Sequence, residues 1–288
     1  MWEQRVFGNE RGICGIVSEP DDRRRDKDLV IALAGLAQPM SEKNDVFTDL
    51  RKMATEKNCH FVQFDYYGHG DSRGDFHEVN YSTMAYDARL VAKKMIHEIA
   101  PARIIFVANG LGGLIAYDTA RYLARSNKKL PFCLILISVP VLRASHYGTL
   151  FSERGIEWLR TYGRADMKSL VPGNDYALFS DFSLKQLEYF WELGSHIMNL
   201  HGLEISLEFL KQLDRIDARG ALDSYSHGRK YLIYGDKSGQ SSLYNDISVS
   251  SKCLLQDVDY FYERCETKDT LINYVDWAIG NNRKFAFR

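Results

Sequence analysis

The chain has 288 residues, of which 45% are hydrophobic, so it can bury a large core within one domain. Its formal net charge of −1 lacks the basic excess that nucleic-acid-binding domains usually show. The five cysteines are scattered and form no CxxC pair, which argues against a disulfide framework and against structural zinc.

Neither a leader-like apolar segment at the N-terminus nor any stretch of membrane-spanning length is visible in the sequence. We therefore expect a cytoplasmic protein with no membrane span, no bound metal ion, no cofactor and no nucleic-acid partner. The sequence does not indicate an oligomeric state.

Short β-branched runs alternate with longer helical patterns, which is typical of a mostly parallel sheet covered by helices on both faces. The predicted strands are a hairpin over residues 5–7 and 13–17, then runs at 29–34, 60–64, 103–108, 132–137, 230–234 and 252–255. The predicted helices span residues 45–56, 82–99, 111–125 and 267–279, and Gly280 is the expected stop signal of the last one.

The stretch between the sixth and seventh predicted strands is too long for one crossover. We predict a core domain of residues 1–141 and 229–288, with a helical cap inserted over residues 142–228. Within the cap, Ser183 and Gln186 form a capping-box start ahead of an aromatic stripe at 189–191, which indicates core packing or, alternatively, a lid over a ligand cavity. A second amphipathic segment carries leucines at positions 203, 207, 210 and 213.

The most informative segment is the run IIFVANGLGG at residues 104–113, where a buried strand leads into a small-residue turn and then a helix. This is the context of a nucleophile elbow, in which a G-x-S-x-G turn presents a catalytic serine. In the frame Ala108-Asn109-Gly110-Leu111-Gly112, the position of the serine holds Gly110.

With this elbow, the sequence resembles the α/β-hydrolase superfamily, in particular its serine aminopeptidase and lysophospholipase-like branch. Two further motifs carry the resemblance: residues 64–72, FDYYGHGDS, match the D-x-x-G-x-G-x-S turn, and Leu33-Ala34-Gly35-Leu36 stands where the family has its His-Gly oxyanion turn. The resemblance covers residues 5–279 and implies an eight-stranded α/β-hydrolase fold with a cap between strands six and seven.

The same resemblance places the catalytic acid at Ser238 and the catalytic histidine at Tyr260, and no histidine follows His227. Asp236, two residues from the acid position, would serve only if its loop were rearranged. Serine acyl transfer needs a nucleophilic oxygen, a base and a group that orients the base. The sequence therefore predicts that the hydrolytic triad has degenerated.

A glycine at the elbow relaxes a strained turn, or alternatively makes room for a ligand atom. The amides of Leu111 and of Gly35 or Leu36 are candidate donors to a carbonyl or carboxylate oxygen. The candidate pocket comprises Gly35, Leu36, Asn109, Gly110, Leu111, Asp236, Ser238, Asp259 and Tyr260. His69 is expected to shape its turn and His77 to lie at the surface, while His196 and His201 show no metal-site spacing.

Three functional hypotheses follow. The first is a pseudoenzyme that binds a small acyl- or carbonyl-type molecule, or a protein partner, through the former active-site pocket. The second is a repurposed lyase, isomerase, epimerase or cyclase that uses Asn109, Tyr260, Asp236 and the amides of Leu36 and Leu111. The third is a hydrolase with unusual catalytic machinery, for which Asp236, Asp259 and His69 are the candidate bases.

Overall fold

A computed structural model describes residues 1–20, 27–141, 152–166 and 203–283, together with the single positions 170, 185, 189 and 192. Its main sheet has eight strands in the order β1-β2-β4-β3-β5-β6-β9-β10. The strands are β1 (Trp2–Phe7), β2 (Ile13–Ser18), β3 (Asp28–Leu33), β4 (His60–Phe64), β5 (Arg103–Asn109), β6 (Phe132–Ile137), β9 (Gly228–Gly235) and β10 (Ser251–Leu255).

The first two strands form the antiparallel hairpin that the sequence predicts, and β2 pairs antiparallel with β4. From β4 to β10 every neighbouring pair is parallel. The predicted eight-stranded, mostly parallel sheet is therefore confirmed.

Helices cover both faces of this sheet. The α-helices in the described ranges are α1 (Val46–Glu56), α2 (Tyr81–Ile99), α3 (Leu111–Ser126), α4 (Glu153–Tyr162), α5 (Leu207–Leu213), α6 (Ala218–Asp223), α7 (Ser241–Asn245) and α8 (Cys265–Arg283). The helices α2 and α3 pack on one face and α1 and α8 on the other, so each face has its own apolar cluster. Since both faces are covered, the central strands are buried along almost their whole length.

Between β6 and β9 the described residues form α4, a two-stranded antiparallel ribbon of β7 (Arg164–Asp166) and β8 (Glu204–Ser206), and the short helices α5 and α6. The ribbon was not expected from the sequence, because the leucine spacing extends the helical pattern back to Leu203. Ser206 instead ends the strand and caps α5 by accepting a hydrogen bond from the N–H of Phe209.

Two further predictions concern the end of the last helix and the aromatic stripe at 189–191. Gly280 does not end α8, which continues through it to Arg283. Ser183, Gln186, Phe190 and Trp191 lie outside the described residues, and Tyr189 is 58% exposed, so core packing, one of the two alternatives for the stripe, does not hold for Tyr189.

Candidate functional site

Gly110 forms the sharp turn between β5 and α3, at the carboxyl edge of the sheet. Its φ of 50° and ψ of −125° lie in a region that glycine adopts readily and other residues rarely adopt. The N–H of Gly110 donates to the carbonyl of Ile137 at 2.9 Å, and its own carbonyl accepts from Gly113 at 3.0 Å. The strained shape of an elbow is thus present without a side chain that could attack a substrate.

Space is available above this glycine. A Cβ atom built on Gly110 would have one neighbour within 4 Å among the described residues, the Cα of Gly35 at 3.9 Å. By contrast, a Cβ on Gly112 would lie 2.3 Å from the carbonyl oxygen of Leu33. The two glycines therefore have different roles: Gly112 permits close packing of α3 on the sheet, while Gly110 leaves a position open.

The turn after β3 faces Gly110 and contains the two candidate donor amides, those of Gly35 and Leu36. The N–H of Gly35 donates to Oε2 of Glu42 at 2.7 Å, so it is already engaged within the protein. The amide of Leu36 is therefore the candidate donor in the turn after β3. On the other side, Leu111 is the first residue of α3, where helical amides have no partner within the helix.

Glu42 is a buried acid at this site that the sequence analysis did not identify. Its side chain is only 2% exposed, and Oε1 accepts from the N–H of Lys43 at 3.1 Å while Oε2 accepts from Gly35. The side chain of Asn109 donates a further hydrogen bond to the carboxylate. Glu42 thus connects the turn after β3 to the last residue of β5.

The environment of Glu42 changes its chemistry. Burial raises the pKa of the carboxyl, although the hydrogen bonds from Gly35, Lys43 and Asn109 oppose the shift. The backbone of Glu42 is itself strained, with φ 59° and ψ 174°, in a region that is almost exclusive to glycine. In the sequence, Glu42 is one charged residue in the polar run SEKND, which reads as an ordinary solvated loop.

Asp236 immediately follows β9, and its carboxylate accepts hydrogen bonds from backbone amides of two loops. Its Oδ1 accepts from the N–H of Val258 at 3.2 Å. Hydrogen bonds from the amides of Asp257, Val258 and Lys237 hold the pKa of Asp236 below its usual value. Ser238, at the family's acid position, accepts from the N–H of Gln240 at 3.3 Å. Asp236 therefore connects the loop after β9 to the loop after β10, while Ser238 accepts within its own loop.

Asp259 and Tyr260 lie in the loop after β10. The carboxylate of Glu263 accepts from both of their backbone amides, at 3.0 and 2.9 Å. Asp259 is exposed, whereas Tyr260 is half-buried and stacks on Tyr262 with ring centroids 5.3 Å apart. The ammonium group of Lys43 lies 4.4 Å from the ring centroid of Tyr262, so this aromatic pair adjoins the Glu42 loop.

His69 is buried and has a structural position. Its Nε2 accepts from the N–H of Ala37 at 3.3 Å, and its ring packs edge-on against Tyr66 and Phe76. Burial lowers the pKa of His69 to about 4, so the ring is neutral at pH 7. It therefore supports the turn after β3, a contact that the sequence did not predict, while its Nδ1 lies 3.4 Å from the carbonyl oxygen of Tyr67 in its own turn. His77 is half-buried, and His196 and His201 lie outside the described residues.

Within the described ranges, no cluster of three or more His, Cys, Asp or Glu side chains has the arrangement of a metal site. None of the helices in that part of the chain is both long enough and apolar enough to cross a membrane.

Comparison with known proteins gives the fold a name. No protein-family model and no curated protein matches the sequence. Among solved structures, the chain is similar to a putative hydrolase from Agrobacterium vitis S4, with a TM-score of 0.67, 18% identity, and coverage of 97% of this chain and 98% of the other.

It is also similar to Est1E from Butyrivibrio proteoclasticus, solved with bound ferulic acid, with a TM-score of 0.61, 15% identity, and coverage of 97% and 99%. For a monoacylglycerol lipase from Paleococcus ferrophilus the TM-score is 0.61, the identity 13%, and the coverage 93% and 98%. The chain therefore has the α/β-hydrolase fold over nearly its full length.

Proposed function

We propose that this α/β-hydrolase-fold chain binds a small molecule with a carbonyl or carboxyl group above Gly110 and does not cleave it. The observation that carries the proposal is the elbow itself, which keeps its strained backbone and an open position but has no nucleophilic atom. The amides of Leu36 and Leu111 would hold the ligand oxygen, as amides at helix starts and turns hold anionic or carbonyl oxygens.

The residues at the other two triad positions support a role without acyl transfer. Ser238 accepts within the loop after β9, Asp236 accepts from the loop after β10, and the Tyr260 position holds a phenol where a triad needs an imidazole. In addition, an ionised Glu42 beside Gly35 would repel the negative charge that develops on a tetrahedral intermediate. Each feature opposes hydrolysis independently of the missing serine oxygen.

Among the comparison structures, Est1E holds ferulic acid, an aromatic carboxylic acid. We extend that ligand class to this chain as part of the proposal, and ferulic acid is therefore a suitable first probe. The alternative from the sequence is a protein partner that contacts the same pocket. The same variants would reveal such a partner by changing its binding.

One observation favours a second candidate function, a non-covalent enzyme such as a lyase or isomerase. Glu42 is buried, its pKa is raised, and it adjoins Asn109 and the turn. A carboxyl of this kind is suited to donate or accept a proton. In this candidate, Glu42 supplies the acid–base group and joins Asn109, Tyr260 and Asp236, which the sequence indicated for such an enzyme.

A matched pair of variants tests the binding proposal. Gly110→Ser and Gly110→Leu both place a side chain on the same strained backbone, but only leucine fills the space above it. We expect calorimetric titration with ferulic acid to show binding to the wild type and to Gly110→Ser. Gly110→Leu should weaken binding by at least about tenfold, or 1.4 kcal/mol.

Near-UV circular dichroism should confirm that both variants are folded. Equal affinity in the serine and leucine variants would show that the ligand does not lie above residue 110. Stoichiometric labelling of the wild type by a fluorophosphonate, located in the pocket by mass spectrometry, would replace the proposal with the hydrolase hypothesis.

A further inference from the structure

A cavity of about 730 Å³ lies away from the elbow. One wall is formed by the end of β1 and the turn that follows it. The opposite wall is the face of α2 that carries Tyr86, Arg89, Leu90, Lys93 and Lys94, and Tyr122 of α3 completes the lining. None of these residues belongs to the site around Gly110, and the volume is typical of a small-molecule site.

The lining of this cavity is basic. It contains Arg89, Lys93 and Lys94 and no carboxylate. Nearby acids compensate only in part, because each serves two cations: Asp118 contacts both Arg89 and Arg121, at 3.6 and 3.4 Å. Glu98 is shared in the same way by Lys94 and Arg5, at 2.9 and 2.7 Å.

Lys93 has no carboxylate within salt-bridge distance in the part of the chain that the structure describes; its ammonium group donates to the hydroxyl of Tyr122 at 2.7 Å. Arg89 also has unused donor capacity, since its contact with Asp118 is long, at 3.6 Å, and 30% of its side chain is exposed. Both side chains can therefore contact an anion in the cavity.

Aromatic and apolar side chains lie beside the cations. The guanidinium carbon of Arg89 is 4.7 Å from the ring centroid of Tyr122, which holds the charge against the α3 side. The ring of Tyr86 is 55% exposed, and Leu90 lies one turn further along the same helix face. The cavity thus combines a cationic end with an apolar wall that a small organic group could cover.

We propose that this basic cavity binds an organic phosphate monoester. The phosphate would contact Arg89 and Lys93, and its organic part would lie along Tyr86 and Leu90. A dianion suits a lining with three cations, and the fork of an arginine side chain matches phosphate geometry. The inference is independent of the function proposed for the elbow.

Calorimetric titration with phenyl phosphate, inorganic phosphate and phenol tests the two parts of this ligand, the phosphate and the organic group. We expect phenyl phosphate to bind more tightly than inorganic phosphate, and phenol to bind weakest. Arg89→Met, and separately Lys93→Met, should each weaken phenyl phosphate binding by about tenfold, or 1.4 kcal/mol. Lys52→Met is the matched control, since Lys52 is an exposed lysine on α1, on the opposite face of the sheet.

Arg89→Lys keeps the charge but loses the fork, and should give an intermediate affinity even if the methionine variant is unstable. Co-sedimentation with vesicles of phosphatidic acid in phosphatidylcholine distinguishes a lipid headgroup from a soluble monoester. Binding to these vesicles but not to phenyl phosphate, if it is lost in Arg89→Met, would assign the same chemistry to a lipid. Equal phenyl phosphate binding by Arg89→Met and Lys52→Met would overturn the proposal.

Discussion

The elbow at Gly110 differs in structure from the loops after β9 and β10, although the sequence resemblance assigns all three to one site. The elbow keeps an unusual backbone, with φ 50° and ψ −125°, and has no side chain. The two loops carry polar side chains: Asp236 accepts from the backbone of the loop after β10, Ser238 accepts within its own loop, and Tyr260 is stacked on Tyr262. The elbow thus has an unusual backbone shape, whereas the loops have polar side chains that are engaged within the protein.

This difference has a physical reason. The elbow is fixed by the packing of α3 against β3, where Gly112 meets the carbonyl of Leu33, so its shape is required by the core. The loops are at the surface, where side chains exchange one hydrogen-bond partner for another at low energetic cost. The packing of the core can therefore hold the backbone of an elbow whatever side chains the surface loops carry.

The largest effect on stability is expected from Gly112→Ala, which disrupts the packing of α3 on β3 beside the elbow. The new Cβ would lie 2.3 Å from the carbonyl oxygen of Leu33 and 2.5 Å from that of Ala34, and neither backbone segment can move easily. We expect the free energy of unfolding to fall by about 4 kcal/mol, above the usual range for overpacking. Urea denaturation followed by circular dichroism measures it.

Gly280→Ala provides the control for this prediction, because it makes the same change on an exposed face of α8. A Cβ at Gly280 has no neighbour within 4 Å. Alanine is the better helix former, so this variant should be more stable than the wild type by about 0.5–1 kcal/mol. If both variants were equally stable, the elbow would not depend on the close contact.

His69→Gln tests the support of the turn that faces the elbow. Burial lowers the pKa of His69 from 6.5 to about 4, so the unfolded chain takes up a proton in this range and the folded protein does not. Stability is therefore full above pH 6.5 and is lost as the pH falls towards 4, by about 3 kcal/mol from this group.

Glutamine retains a donor and an acceptor but does not titrate. The unfolding free energy of His69→Gln, measured at pH 7.5, 6.0 and 5.0, should lose this part of the acid dependence. An unchanged acid dependence in His69→Gln would mean that the ring is not held neutral.

Glu42→Gln tests the connection between the elbow and the turn after β3. The carboxylate accepts from Gly35, Lys43 and Asn109, and a glutamine would turn an NH₂ group towards one of these donors. We expect a loss of about 1–2 kcal/mol in unfolding free energy, measured by urea denaturation. Glu56→Gln, an exposed position at the end of α1, should change stability little.

The pH adds a second readout for Glu42. Because its pKa is raised in the folded state, its ionisation reduces stability as the pH rises above the usual glutamate value of 4.5. The variant lacks this loss, so the difference between the two proteins should narrow with rising pH. A difference that widens instead would contradict the raised pKa.

The sequence predicted most of the sheet because its signals are local. Continuous apolar runs identified the buried strands, and the small-residue turn at 108–113 located the elbow. Glu42 could not be found in this way, because its burial depends on contacts with Gly35 and Asn109 that the sequence does not display. The engagement of the Gly35 amide and the β7–β8 ribbon, which rely on pairing between distant segments, were missed for the same reason.

Hydrolysis of 4-nitrophenyl acetate by the wild type, Gly110→Ser and Glu42→Gln tests most directly whether the site at Gly110 lacks esterase activity. We expect no release of 4-nitrophenol above the buffer rate from the wild type, since residue 110 offers no nucleophilic atom. Gly110→Ser should gain no turnover, because a serine without a base remains inactive. If the wild type turned over the ester at rates usual for esterases, and Glu42→Gln abolished that turnover, the proposal of binding without cleavage would be wrong.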